Sequence, residues 1–96
     1  MILLGTVDDV FTISGRGTVI SFDFAESLDP NLKFRVGDRI ELRISGQPGL
    51  QSEIRGIEHL RPIVRRKPVN LGLLLPLDVN PQKLAKGMEI WLLRET

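Results

Sequence analysis

Asp8, Asp9 and His59 are the side chains best suited to acid–base or metal chemistry. Asp8 and Asp9 are adjacent, and neighbouring side chains of an extended segment point to opposite faces, so the two carboxylates do not form a catalytic pair. His59 is the one histidine and the chain has no cysteine, so a histidine cluster and a thiolate metal site are both excluded. The residues therefore predict a protein without catalytic machinery, cofactor or metal of its own.

A basic segment is the second chemical feature of the chain. Arg61, Arg65, Arg66 and Lys67 lie close together in the sequence, and four cations can form a phosphate-contacting patch. The whole chain has 13 basic and 12 acidic residues, a net charge of +1, which gives no overall attraction for nucleic acid. The segment is therefore either a local phosphate-contacting patch or a solvated loop.

Asn70 is an amide inside the apolar run Val69 to Leu75. A buried amide must find hydrogen-bond partners, so packing alone explains this residue poorly. Two interpretations remain open for Asn70, a ligand-binding residue and a structural hydrogen-bonding residue.

Short alternating segments, separated by Gly, Pro, Asn and Asp, predict an all-β domain. The clearest strand is Arg39 to Ile44, in which Ile40, Leu42 and Ile44 are expected to face inward. Five more strands are expected at Val10 to Ser14, Thr18 to Phe24, Glu53 to Leu60, Val69 to Leu75 and Met88 to Arg94. Six short strands favour a small closed antiparallel β-barrel, because closure leaves no long exposed edge.

The connections between these strands also have recognisable signals. Gly15-Arg16-Gly17 is expected to form a tight hairpin, because its two glycines readily adopt positive φ angles. A loop is expected at residues 45–49. The one helical signal covers residues 80–87, with Asn80-Pro81 suited to its start and Gly87 to its end, and predicts a connector of one or two turns.

Length and composition indicate a single globular domain over residues 1–96. The N-terminal residues lack the basic start of a signal peptide, and the longest apolar run, Leu71 to Pro76, is far shorter than the roughly 20 residues of a membrane helix. The lack of cysteine is compatible with a reducing compartment. We therefore expect a cytoplasmic protein that does not bind membranes.

Five blocks of the sequence resemble, in the same order, parts of domain 2 of elongation factor Tu. The first, Asp9 to Val19, reads DVFTISGRGTV and is similar to the opening strand pair of that domain. Lys33 to Leu42 resembles the family's K-V-G-E-E-V-E-I stretch, and Gly56 to Glu58 resembles its G-V-E. Asn70 to Leu75 resembles the N-V-G-x-L-L strand, and Leu84 to Ile90 resembles the R-G-Q-V-L ending. The blocks span about residues 7 to 92, and the resemblance implies a closed six-stranded antiparallel barrel.

The resemblance also implies a binding site. In the family, domain 2 holds the aminoacylated 3′ end of transfer RNA, with the terminal adenosine in an apolar pocket. Carried over by motif, the pocket residues are Ile13, Val19, Glu58 and Leu74, the residues around the aminoacyl group are Asp8, Asp9, Phe11 and Asn70, and Arg61 lies near the backbone phosphate. Apolar side chains can hold a base while a carboxylate accepts hydrogen bonds from ribose or amino groups. The alternative for the apolar positions is ordinary core packing.

The sequence departs from the family in three places. Ser21-Phe22 replaces the family's Thr-Gly, the connection at residues 25–35 is longer, and residues 61–68 are more basic. These 96 residues also contain no P-loop and no guanine-reading motif of the kind found in the nucleotide-binding domain of translational GTPases. GTP binding by this chain is therefore not expected.

Three functions are compatible with these observations. The preferred hypothesis is a non-enzymatic module that binds RNA with a free 3′ end, or a protein that recognises the barrel. The second is a decoy or immunity-type protein that mimics elongation factor Tu. The third is an accessory subunit of a translation factor.

Overall fold

The computed structural model describes residues 1–23, 33–44, 47–60 and 70–93. These residues form seven antiparallel strands, which are β1 (Ile2–Ile13), β2 (Gly17–Asp23), β3 (Arg39–Ile44), β4 (Gln47–Glu53), β5 (Gly56–Leu60), β6 (Asn70–Leu74) and β7 (Glu89–Leu92). They make one sheet in the order β4-β3-β7-β1-β2-β6-β5. The predicted all-β antiparallel fold is confirmed. Seven strands are present among the described residues where six are predicted, and the pairs between these described strands do not close the sheet, because β4 and β5 are its outermost strands.

Strand β1 belongs to both halves of the sheet. Residues Ile2 to Thr6 pair with β7, and residues Val7 to Ile13 pair with β2. The register shifts once in each half, between Leu3 and Gly5 and between Val7 and Asp9. Such bulges bend a strand and increase its twist. β1 therefore joins a first half-sheet, β4-β3-β7-β1, to a second half-sheet, β1-β2-β6-β5.

The hydrophobic core consists of side chains that both half-sheets direct to one side. Ile40 and Leu42 are fully buried, as the alternation of β3 predicts. Ile44 is 55% exposed, so the prediction that it faces inward is wrong. The reason is its place at the end of β3, after a register shift that follows Leu42. The core cluster comprises Leu4, Val7, Ile20, Phe22, Ile40, Leu42, Ile54, Leu71, Leu73, Leu75, Leu84, Met88, Ile90 and Leu92.

Strand β4 was not predicted, because residues 47–49 were assigned to a loop. Gln-Pro-Gly has low intrinsic strand propensity, but pairing with β3 overrides this preference. At Gly49, an added Cβ atom would meet the carbonyl oxygen of Leu42. Glycine therefore permits the close approach of the two main chains here.

The predicted strand from Glu53 to Leu60 is interrupted at Ile54 and Arg55. Ile54 makes main-chain hydrogen bonds to the turn before β3, donating to Asp38 O at 2.9 Å and accepting from Gly37 N at 2.8 Å. Arg55 N donates to Leu74 O at 2.8 Å. The chain thus passes within two residues from β4, which pairs with β3, to β5, which pairs with β6.

The predicted hairpin and the predicted cap at Asn80 are confirmed, whereas the predicted stop at Gly87 is wrong, because the helix ends at Lys83 with Leu84 as its C-cap. Gly15 and Gly17 have φ angles of 79° and 134°, and the turn is closed by a bond from Arg16 N to Ile13 O. In the connector after β6, the Asn80 side chain accepts a hydrogen bond from Gln82 N at 2.9 Å. The helix itself is shorter than predicted, a single 3₁₀ turn at Pro81–Lys83. The described residues contain no helix that is long and apolar enough to cross a membrane.

A buried carboxylate connects β3 and β4 on the outer face of the first half-sheet. Glu41 is only 4% exposed, and it accepts hydrogen bonds from Arg43 and, at 3.1 Å, from Gln51 Nε2. The Arg43 guanidinium lies over the Trp91 ring, 5.7 Å from its centroid. The hydrogen bond from Arg43 is the largest of the effects that lower the pKa of Glu41 from its ordinary value. Glu41 is therefore held as a carboxylate.

The Glu41 carboxylate is expected to make stability depend on pH. Its pKa is lower in the folded state than the ordinary value of 4.5, so its contribution is fully present above that value. The contribution is lost as the pH falls through the lower, folded-state pKa. Thermal unfolding should therefore show a melting temperature for Glu41→Gln below the wild-type value at pH 7, with a smaller difference at about pH 3.

The half-buried carboxylate Glu53 provides the control for this experiment. Glu53→Gln removes only a surface ion pair with Arg55, and should change the melting temperature little at either pH. A Glu41→Gln difference of the same size at both pH values would contradict the assigned role of the charge.

Candidate functional site

The outer face of the second half-sheet carries an apolar row of side chains. Cross-strand pairs place Phe11 opposite Val19, Val19 opposite Leu74, and Leu74 opposite Gly56. Side chains alternate along a strand, so these residues face away from the core, to which their neighbours Ile20 and Leu73 belong. The structure therefore brings together Phe11, Val19 and Leu74, which the sequence suggested separately.

A polar row lies beside the apolar row, two residues along each strand. It consists of Asp9, Ser21, Gly72 and Glu58, which are paired in that order across β1, β2, β6 and β5. Ser21 Oγ donates to the main-chain oxygen of Asp9 at 3.5 Å. Asp9 is exposed, and Glu58 is half-buried. The polar row therefore presents two carboxylates next to an apolar surface.

Two glycines allow Leu74 to lie flat on this face. A Cβ atom at Gly56 would be 3.3 Å from Leu74 Cβ, and one at Gly17 would be 3.5 Å from Leu74 Cδ1. Val19 and Leu74 are buried, as core packing would require, yet they lie outside the core cluster. Phe11 is 39% exposed. The apolar row thus has a closely packed floor and an accessible aromatic ring at one end.

An ion pair spans the second half-sheet near the apolar row. Arg16 Nη2 lies 3.4 Å from Glu58 Oε1, and the two side chains are 57% and 43% exposed. Arg16 comes from the β1–β2 hairpin and Glu58 from β5, so the pair reaches across β6. Because both side chains are exposed, this ion pair contributes at most about 1 kcal/mol to the free energy of unfolding and can open readily. Sequence reasoning placed Arg16 only in a turn, because nothing local showed that it would reach Glu58.

A cleft at the hairpin end of this surface holds a second guanidinium. The cleft has a volume of about 530 Å³ and is lined by Arg16, Arg55, Leu75, Pro76, Leu77 and Asp78. Arg55 is largely exposed and pairs with Glu53 at 3.5 Å. Two arginines therefore lie close to the apolar row, where they can reach an anionic ligand.

The remaining predicted site residues lie outside the apolar and polar rows. Ile13 is half-buried on the same face, opposite Gly17. Asp8 is exposed and lies within the register shift of β1. Asn70 is part of β6 and pairs through its main chain with Asp23 and Leu60, but its side chain lies outside the described part of the molecule. The basic residues Arg61, Arg65, Arg66 and Lys67 also lie outside the described residues.

Similarity to known proteins does not identify this surface. The chain matches no protein-family model, no curated protein and no solved structure. Within residues 1–23, 33–44, 47–60 and 70–93, no three acidic or histidine side chains converge on a point where they could hold a metal ion. The resemblance to elongation factor Tu domain 2 therefore rests on the sequence blocks alone, and the site rests on its geometry.

Gly17 is expected to be essential for the packing beneath the apolar row. Its φ angle of 134° is strained for other residues, and a Cβ atom would be 2.6 Å from Leu75 O. Gly17→Ala should lower the free energy of unfolding by about 1–3 kcal/mol in urea titrations. The neighbouring change Arg16→Ala should lower it by less than about 1 kcal/mol. Equal effects of the two substitutions would show that Gly17 does not lie close to the main chain of Leu75.

Proposed function

We propose that this chain is a cytoplasmic, non-enzymatic RNA-binding module, similar to domain 2 of elongation factor Tu, that holds an unpaired RNA 3′ end. The observation that carries the proposal is the exposed ring of Phe11 at the end of the apolar row, with the polar row beside it. Bases stack on aromatic side chains, and apolar neighbours exclude water from the stacked base.

Each row has a role in this proposal. The terminal base stacks on the exposed ring of Phe11, at the end of the apolar row in which Val19 and Leu74 are buried. Glu58 accepts a hydrogen bond from a ribose hydroxyl or a base amino group, as a carboxylate can accept but not donate. An aminoacyl group at the 3′ end has a cationic amine, for which Asp9, an exposed carboxylate two residues before Phe11 on β1, is a suitable partner.

The arginines supply contacts to phosphate in this proposal. Arg16 exchanges its exposed partner Glu58 for a phosphate oxygen, which leaves the Glu58 carboxylate available to the ribose. Arg55 faces the same cleft. Arginine binds phosphate well because its planar guanidinium can donate two parallel hydrogen bonds.

We further propose that the seven strands belong to a closed barrel of the domain 2 type. Two features support closure. The outermost strands β4 and β5 are joined by only two residues, Ile54 and Arg55. Arg55 N also bonds to Leu74 O, next to the β5–β6 pairs. Counted as one bent strand, β4 and β5 reduce the seven described strands to six, with the β4 part paired to β3 and the β5 part to β6, so the other side of β4 keeps an open edge.

Phe11→Ala tests the RNA site. The ring is partly exposed, so its removal should leave the fold intact while an RNA oligonucleotide with a 3′-terminal adenosine binds about 5- to 150-fold more weakly, as expected for the loss of one stacked base. Fluorescence anisotropy of a 5′-labelled oligonucleotide gives the dissociation constants. Val36→Ala is the control, because Val36 is 56% exposed and precedes β3, in the other half-sheet. An unchanged affinity of Phe11→Ala would refute the proposed site.

Replacement of Arg65, Arg66 and Lys67 by glutamine tests whether the basic segment contacts phosphate. Each lost contact to a single strand lowers the slope of log affinity against log salt by roughly 0.7, so the triple variant should show a slope about 2 units flatter. Phe11→Ala should lower affinity without changing the slope, because stacking releases few counterions. If the triple variant binds RNA as the wild type does at low and high salt, the segment is a solvated loop.

A further inference from the structure

Strand β4 forms one edge of the sheet, and in the described part of the chain β3 is its only strand partner. Hydrogen bonds at the end of the ladder show which main-chain groups point to that edge. Arg39 O accepts a hydrogen bond at 2.9 Å from Leu93 N, which directly follows β7, so it points to the β7 side of β3. Asp38 O accepts one at 2.9 Å from Ile54 N, which directly follows β4, so it points to the β4 side. Successive residues of a strand bond to opposite sides. Ile40 and Leu42 therefore bond to β4, and Arg39 and Glu41 bond to β7.

The same alternation orients the main chain of β4. Leu50 is paired with Leu42 and Ser52 with Ile40, so Leu50 and Ser52 bond to β3. The N–H and C=O groups of Gln51 and Glu53 consequently point away from β3, toward the open edge. These groups are available to another extended chain.

A groove runs along this open edge. Its volume is about 300 Å³, and its two walls are residues 50–53 of β4 and the segment from Pro76 to Lys83. Leu50, Pro76 and Val79 provide apolar lining, while Gln51 and Ser52 provide polar groups. A groove with two walls is suited to a single strand, and the wall at Pro76 to Lys83 obstructs the edge of a second sheet.

The two ends of the groove carry opposite net charges, with Lys83 at one end and Asp78, Glu53 and Arg39, a net charge of −1, at the other. Lys83 also lines the neighbouring cavity with Gln47, so it lies toward the start of β4. Asp78 also lines the cleft with Arg55, so it lies toward the end of β4. Lys83 and Asp78 make no ion pair within the described residues.

We propose that this groove binds an extended peptide segment of a partner protein, which adds to the sheet antiparallel to β4. The main-chain groups of Gln51 and Glu53 would pair with the peptide, as in other cases of strand addition. An antiparallel peptide begins near Asp78 and ends near Lys83. The preferred segment therefore has a basic residue at its N-terminal end, alternating apolar residues, and an acidic residue at its C-terminal end.

Synthetic peptides test this proposal independently of RNA binding. The probe is acetyl-Lys-Thr-Val-Thr-Val-Glu-amide, and its charge-reversed partner begins with Glu and ends with Lys. We expect the probe to bind more tightly than the charge-reversed peptide in titrations followed by NMR. Two further peptides carry N-methyl groups on every second amide, one on the odd and one on the even positions. Only the series whose methylated amides face β4 should bind more weakly, by about 2- to 10-fold for each lost hydrogen bond. Equal binding by the two methylated series, or no binding by the probe at millimolar concentration, would overturn the proposal.

Two substitutions at Glu53 separate its main-chain N–H from its side chain. Glu53→Pro removes the edge-facing donor, which an edge strand tolerates, whereas Glu53→Gln removes only the charge. The proline variant should bind the probe at least about 2-fold more weakly than the glutamine variant, with the same circular dichroism spectrum. Equal affinities would overturn the proposed main-chain contact, and the methylated peptides give the same test if the proline variant does not fold.

Amide hydrogen exchange identifies what occupies the edge. In the free protein, the amides of Leu50 and Ser52 should be protected, whereas those of Gln51 and Glu53 should exchange rapidly and become protected when the probe binds. Protection of all four amides in the free, dilute protein would show that another part of this chain covers the edge. Protection that increases with protein concentration would show that a second copy does. Either result would overturn a partner peptide as the occupant, whatever the outcome of the RNA experiments.

Discussion

The main-chain hydrogen bonds of β1 to two different partners hold the two half-sheets together. Its first half pairs with β7 and its second half with β2, and each half contains one register shift. A regular strand in a flat sheet would direct alternate side chains to two open faces, whereas a bulged strand turns and coils the sheet. Because β1 turns in this way, residues from both half-sheets, such as Leu4, Ile20 and Ile40, meet in one core.

This arrangement gives the molecule two chemically different surfaces. The second half-sheet exposes the Phe11 ring at the end of a buried apolar row, beside carboxylates and an arginine, which is suited to a ligand with a planar apolar part and polar groups. The edge at β4 offers main-chain hydrogen bonds, which are suited to an extended polypeptide. Pro76 and Asp78 line both the arginine cleft and the groove at β4, so the two sites adjoin at this end of the molecule.

Burial of polar groups in the first half-sheet serves a different purpose. Glu41 accepts hydrogen bonds from Arg43 on its own strand and from Gln51 on β4, so a charge that is costly to bury is compensated. Gln51 thereby ties β4, which is outermost among the described strands, to β3. This network helps to explain how a segment as poor in strand formers as Gln47 to Gly49 is held in the sheet.

The sequence by itself determined the features that depend on neighbouring residues. Alternation predicted the buried Ile40 and Leu42, and paired glycines predicted the hairpin at Arg16, because local backbone and side-chain preferences are sufficient there. Tertiary structure alone decided the strand at Gln47 to Gly49, the exposure of Ile44, the ion pair between Arg16 and Glu58, and the placement of Phe11, Val19 and Leu74 in one row. Each of these depends on contacts between residues far apart in the chain, and cross-strand register cannot be derived from local preferences.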